Sequence, residues 1–241
     1  MPGAIQLYEL VLENGRCSSP YVWRIRYALA HKGLSFESMP VGFTGIPTIL
    51  DGRFKTVPVL RHGEAAVGDS WEIASYLDAA FPHRPALFGS PGEYAAVRLH
   101  DEWQAWHVMR KLFALYALDI HDAARPEDRA YFRQSRERLL KGKTLEEFTA
   151  NRVAQLPDAR AALMPLRNQL RRSDYLGGAS PSYADYITLG AFQWVASMST
   201  LPLLAADDDV LRSWLERCAD LYGGIGRDPQ AKPIFEAANG G

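Results

Sequence analysis

Cysteine is scarce here, with 2 in 241 residues, Cys17 and Cys218. Two cysteines so far apart in the chain make no disulfide framework. They read as reduced thiols, which fits a cytoplasmic setting. An excess of charge of one sign is lacking too. Lys and Arg number 27 against 28 Asp and Glu, for a formal net charge of -1. That balance leaves no electrostatic footprint for nucleic acid or an anionic membrane. Long apolar runs are missing. The most apolar stretch, 186–198, is broken by Thr188, Gln193 and Ser197, too short and too polar to cross a bilayer. The 6 histidines, His100, His107 and His121 among them, show no tight ligand spacing, so no metal is assigned. His100 and His107 read as a solvated stripe or a core polar contact. Met1-Pro2-Gly3-Ala4 has neither the basic start nor the apolar core of a secretory leader. No repeat or low-complexity segment appears.

What is present is ordinary in bulk: 47% hydrophobic and 23% charged, enough for one large domain or two small ones. The first third mixes strand and helix signals. An alternating run at 5–10 predicts a strand, and a turn-like segment at 13–18 follows. A helix is predicted over 20–32, stopped by Gly33. A weak strand at 36–41 and a Gly/Thr/Pro-rich loop at 42–56 come next. Residues 57–60 and 65–67 flank a turn and read as a hairpin. Asp69-Ser70 then opens a helix with Ile73, Ala74, Leu77 and Phe81 on one face. The order is βαβ, then ββα.

Residues 84–92 carry Pro85, Gly89, Pro91 and Gly92 and read as a linker between domains at 1–83 and 93–241. Beyond it every signal is helical. Trp103, Trp106, Met109, Leu112, Phe113 and Tyr116 recur at helical spacing and predict one long helix with an apolar stripe. A charged helix is predicted over 125–141. A third spans 145–172, with a break near Pro157 or Pro165. The most apolar helix, 183–199, belongs at the centre of the second domain, and 209–222 closes the bundle before a Gly-rich tail.

Four places in the first domain could carry chemistry. Pro20 fits a first helical position, which makes Ser19 the N-cap. An anion at that helix mouth, a thiolate included, is stabilised by free N–H groups and the helix dipole. By itself Ser19 is an ordinary cap. Val57-Pro58 starts a strand after a loop, where a cis peptide is tolerated. Asp69-Ser70 sits at a helix mouth, where a hydroxyl and free N–H groups suit a carboxylate and an acidic side chain suits an ammonium. Lys55 is otherwise a solvated loop lysine. In the second domain, Ser182-Tyr183-Ala184-Asp185 fits a capping box with Asp in place of Glu, a folding element.

Ser19-Pro20-Tyr21 resembles the Cys-Pro-Tyr of glutaredoxins with a hydroxyl in place of sulfur, and so resembles the serine-type glutathione transferases. Together with Val57-Pro58, Asp69-Ser70 and the capping box, in that order, the resemblance covers essentially the whole chain. It implies an α/β thioredoxin-like N-terminal domain and an all-α C-terminal domain. Glutathione is the implied co-substrate. Ser19 would donate to its sulfur, Val57 would pair with its main chain ahead of a cis Pro58, Asp69 and Ser70 would grip its γ-glutamyl end, and Lys55 would reach its glycyl carboxylate. The thiolate would attack a small hydrophobic or aromatic electrophile, with Trp106, Met109, Phe113 and Tyr116 as candidates to line that pocket. The family is usually homodimeric. Ser19-Pro20-Tyr21-Val22-Trp23-Arg24, Gly42-Phe43-Thr44-Gly45, Asp69-Ser70-Trp71 and Trp194-Val195-Ala196-Ser197 look like the bacterial glutathione-dependent β-aryl etherases and related fungal transferases. Other readings stay open: a non-catalytic binding protein on this fold, a thiol-transferase using Cys17, Ser18 in place of Ser19, or Tyr8 as the thiol partner.

Overall fold

The computed structural model describes residues 3–199 and 201–237. Met1, Pro2 and the end of the Gly-rich tail lie outside the described residues. In β1 (Ile5–Leu10) Ile5 and Leu7 are buried, as the alternation predicts, and Leu10 is buried at its end. Its one buried charge, Glu9, accepts two bonds from Arg26, at 2.5 and 2.6 Å, which tie the strand to helix α1 (Pro20–His31). Gly33, with φ +62°, supplies the left-handed turn after α1 that most side chains avoid. β2 (Glu37–Val41) returns parallel to β1, which the intervening helix makes possible. β3 (Val59–His62) and β4 (Ala65–Gly68) form the hairpin. The sheet order is β2-β1-β3-β4, with β3 antiparallel to both neighbours. Helix α2 (Ser70–Ala80) follows, completing the thioredoxin-like unit.

The register decides where the loops meet. Tyr8 pairs with Val59, and Val59 pairs with Gly68. The C-terminal end of β1, the start of β3 and the end of β4 therefore share one end of the sheet. Ser18 and Ser19 follow the first, Val57 precedes the second, and Asp69 follows the third. The Ser18 N–H donates to the Leu10 carbonyl at 3.0 Å, which holds the loop to the strand it leaves.

The rest is helical. α3 (Pro91–Gln104) starts inside the stretch that reads as linker: Ser90 caps it and Pro91 takes the first helical position. α3 runs through one π-helical turn, Ala105–Met109, into α4 (Arg110–Ala123). α5 is Pro126–Leu139. The predicted third helix is three: α6 (Leu145–Thr149), α7 (Arg152–Ala162) and α8 (Met164–Leu170). One break precedes Pro165, whose ring cannot continue α7, while Pro157 is accommodated within it. α9 (Tyr183–Met198) buries every residue except Gln193, and α10 (Asp209–Gly224) closes the bundle.

α9 packs on α1 at the end that matters. A Cβ on Gly190 would lie 2.2 Å from the Pro20 carbonyl oxygen, so only glycine allows this approach. The Ser182 and Asp185 capping box is in place, with the Ser182 N–H donating to Asp185 at 2.9 Å. Asp185 also accepts from Leu176 N, Gly177 N and Trp214 Nε1, so α9 is anchored to α10 and to the loop before it.

Candidate functional site

Ser19 caps α1. Its Oγ accepts from Val22 N at 3.2 Å, and it is buried at 5% exposure. Capping uses an oxygen lone pair and leaves the hydroxyl proton free to donate. Ser18, also buried, lies 3.2 Å from Ser197 Oγ. Ser197 Oγ is the donor in that contact and donates to the Trp194 carbonyl at 2.7 Å as well. Among the described residues neither serine hydroxyl donates to a protein acceptor, and Ser19 is the one that caps α1.

Both serines line a cavity of about 720 Å³ between the sheet end and the helices. Across from them stand Met109 and Phe113, together with Phe132, Arg136 and Phe148. Trp106 and Tyr116 do not reach it. Trp106 is 61% exposed, with the Arg110 guanidinium 4.8 Å over its ring. Tyr116 is buried and donates its hydroxyl to the Leu201 carbonyl at 3.2 Å. Ala105, Met109, Arg110, Phe113 and Ala114 are the positions of this helix pair that face the cavity. Sequence reasoning missed Phe43, Phe132, Arg136 and Phe148. The Phe43 and Phe132 rings pack at a tilt with centroids 4.9 Å apart and join loop to helix.

The other residues gather at the same sheet end. The Val57–Pro58 peptide is cis, and Val57 lies two residues ahead of the β3 ladder. Asp69 caps α2, with its Oδ1 accepting from Trp71 N at 2.8 Å and Glu72 N at 3.2 Å. Its φ of +69° is costly for a side chain other than glycine, of order 1–3 kcal/mol. Strain of this kind concentrates at ligand sites. Ser70 is the first residue of α2 and is buried, while Asp69 is exposed. Lys55 is exposed and donates to the Gly52 carbonyl at 3.0 Å, closing its own loop.

Cys17 makes a poor nucleophile. It is buried, and burial pushes its thiol up to about 12. At pH 7 that leaves about one thiol in 10⁵ ionised. Tyr8 sits mid-strand, opposite Met39 and Val59, and is not among the cavity residues. His100 is a core contact bonded to Thr188 at 2.9 Å, and His107 is exposed. Among the described residues, no cluster of His, Cys, Asp and Glu could hold a metal, and no helix is long and apolar enough to cross a membrane. A second cavity, of about 690 Å³, lies between α3, α8 and the start of α9 and contains none of the candidate site residues.

Comparison with known proteins agrees with this fold. The glutathione S-transferase N-terminal domain matches residues 18–80, and the C-terminal domain of the same family matches residues 95–222. Glutathione S-transferase 1 of Dianthus caryophyllus is 40% identical over 88 residues, a match covering 34% of this chain and 37% of that relative. The chain thus spans little more than a third of that relative's length. Glutathione transferase GSTFuA2 of Phanerochaete chrysosporium superposes with a TM-score of 0.72 and 27% identity, over 92% of this chain and 93% of that one. The glutathione S-transferase CsGST63524 of Ceriporiopsis subvermispora, solved in complex with glutathione, shares the fold at a TM-score of 0.71 and 22% identity, over 92% and 93% of the two chains. The chain belongs to the glutathione S-transferase family.

Proposed function

We propose that this chain is a serine-type glutathione transferase. Glutathione lies along the shared sheet end, with its sulfur at Ser19, its main chain at Val57 and Pro58, and its γ-glutamyl end at Asp69 and Ser70. Lys55 swings from Gly52 to its glycyl carboxylate. The domains are taken as 1–83 for glutathione and 93–241 for the electrophile, joined by 84–92, in a cytoplasmic homodimer. One observation carries the reading: the Ser19 proton is uncommitted, at a helix mouth, on the wall of a mostly apolar cavity.

The chemistry follows from that proton. A hydrogen bond to an anion contributes about 1.5–3 kcal/mol. Given to the thiolate and not to the thiol, it lowers the thiol pKa by about 1–2 units. The helix dipole adds in the same direction. The thiolate sulfur then forms a bond to an electrophilic carbon, and the leaving group departs with the bonding electrons. Met109, Phe113 and Phe148 hold that carbon's apolar body against the sulfur, which supplies orientation.

The aromatic walls, Phe43, Phe113, Phe132 and Phe148, favour an aryl substrate. They support a second reading, cleavage of β-aryl ether ketones, in which the thiolate displaces a phenolate from the carbon beside the ketone. Phenol release, followed by chromatography, separates this from simple conjugation. Glutathione titration tests the common core. Binding with thiolate absorption at neutral pH supports a transferase, whereas binding of the protonated thiol without turnover supports a binding protein. Cys17→Ser should leave conjugation intact, and loss of activity in that variant would favour a thiol-transferase.

A further inference from the structure

Two arginines stand on the wall of the Ser19 cavity, Arg110 from α4 and Arg136 from α5. Three cations near them in the chain are paired. Arg133 binds Glu137 at 2.9 Å and Glu146 at 2.7 Å, Arg129 binds Glu13 at 2.9 Å, and Lys111 binds Asp158. Among the described residues, neither Arg110 nor Arg136 has a carboxylate within 4.0 Å. Arg136 makes one hydrogen bond, from Nη1 to Ser135 Oγ at 3.3 Å, and its guanidinium lies 4.9 Å over the Phe132 ring. Burial draws its pKa below the ordinary guanidinium range. Arg110 stacks on Trp106 at 4.8 Å.

A guanidinium on an apolar wall has given up part of its water without gaining a counter-ion. Its planar fork of donors matches a carboxylate. We infer that the electrophile is an aromatic acid: its ring lies among Phe43, Phe113, Phe132 and Phe148, and its carboxylate is held by Arg136, with Arg110 at the cavity rim. This rests on the electrophile site proposed above, and it adds the charge of the substrate. The acid group anchors one end of the ligand and leaves the reacting carbon to face Ser19.

The test uses the full chain without glutathione, so that it stays separate from the thiol reading. Affinities for cinnamate and for its neutral methyl ester are measured by quenching of tryptophan fluorescence, since Trp194 also lines the cavity. Cinnamate should bind about tenfold more tightly than the ester. Arg136→Gln should bring the ratio to within about twofold of unity, Arg136→Lys should keep part of it, and Arg110→Gln should lower it less. If Arg136→Gln fails to fold, salt replaces it: raising ionic strength should weaken cinnamate more than the ester. Equal wild-type affinities, or a preference untouched by both Gln variants or by salt, would overturn the inference. Failure of wild type to bind glutathione would sink the transferase reading instead, and the acid-to-ester ratio would still be readable.

Discussion

The hydroxyl of Tyr183 donates to the carbonyl of Ser70 across 2.8 Å, joining the first turn of α9 to the first turn of α2. Burial raises the phenol pKa, so Tyr183 stays a neutral donor. The buried helix of the second domain thereby positions the helix mouth assigned to the γ-glutamyl group. Tyr183→Phe should cost about 1–2 kcal/mol by thermal or urea unfolding. It should also raise the KM for glutathione more than it lowers kcat. A KM left unchanged beside the stability loss would make the contact structural only.

Asp128 does the same for the other wall. It is fully buried in the first turn of α5, and its Oδ1 accepts from the Thr44 N–H and hydroxyl, each at 2.7 Å. Those bonds fix the loop that carries Phe43 into the cavity. Asp128→Ala strands two donors and should cost about 3 kcal/mol. Asp128→Asn keeps an acceptor oxygen and should lose less. The KM for an aromatic electrophile should rise more than that for glutathione in Asp128→Ala, and equal changes in both would contradict the assignment.

His100 predicts a pH dependence. Thr188 gives its proton to Gln104 Oε1 at 2.8 Å, so the 2.9 Å bond from His100 Nε2 is donated by the imidazole. Burial, with Arg24 nearby, lowers the His100 pKa to about 4, against an ordinary 6.5. Above pH 6.5 the ring is neutral in both folded and unfolded chains. As pH falls below that, the unfolded chain takes up a proton that the folded one refuses, and stability declines until about pH 4. The loss is of order 3 kcal/mol. His100→Gln should flatten that part of the profile in urea melts across this pH range. An unchanged slope would assign the dependence elsewhere.

Legibility in the sequence tracked the range of the interactions. Ser19 and Pro20 announce a cap because capping is settled within four residues. Ser182 and Asp185 do so for the same reason. The hairpin and the βαβ order follow from alternation and turn residues. The π turn carries no comparable signal: Ala105–Met109 holds no Gly or Pro, and only the structure shows that Trp106 is exposed and that Arg110 lines the cavity. The α5 wall was equally hidden. Phe132 and Arg136 sit in a strongly charged helix, and only the fold reveals that Arg133 pairs with Glu137 and Glu146 while Arg136 faces the cavity. Asp69 reads as a cap or a ligand, and its positive φ is a property of the β4–α2 turn that no local pattern encodes.

The decisive quantity is the thiol pKa of bound glutathione, followed by thiolate absorption across pH in wild type and in Ser19→Ala. Losing the cap costs about 1 kcal/mol of stability, which leaves the variant measurable. Loss of the hydroxyl donor should raise the bound thiol pKa by about 1–2 units and lower kcat/KM near neutral pH about 10- to 100-fold. A bound thiol that titrates identically in both proteins would contradict the account.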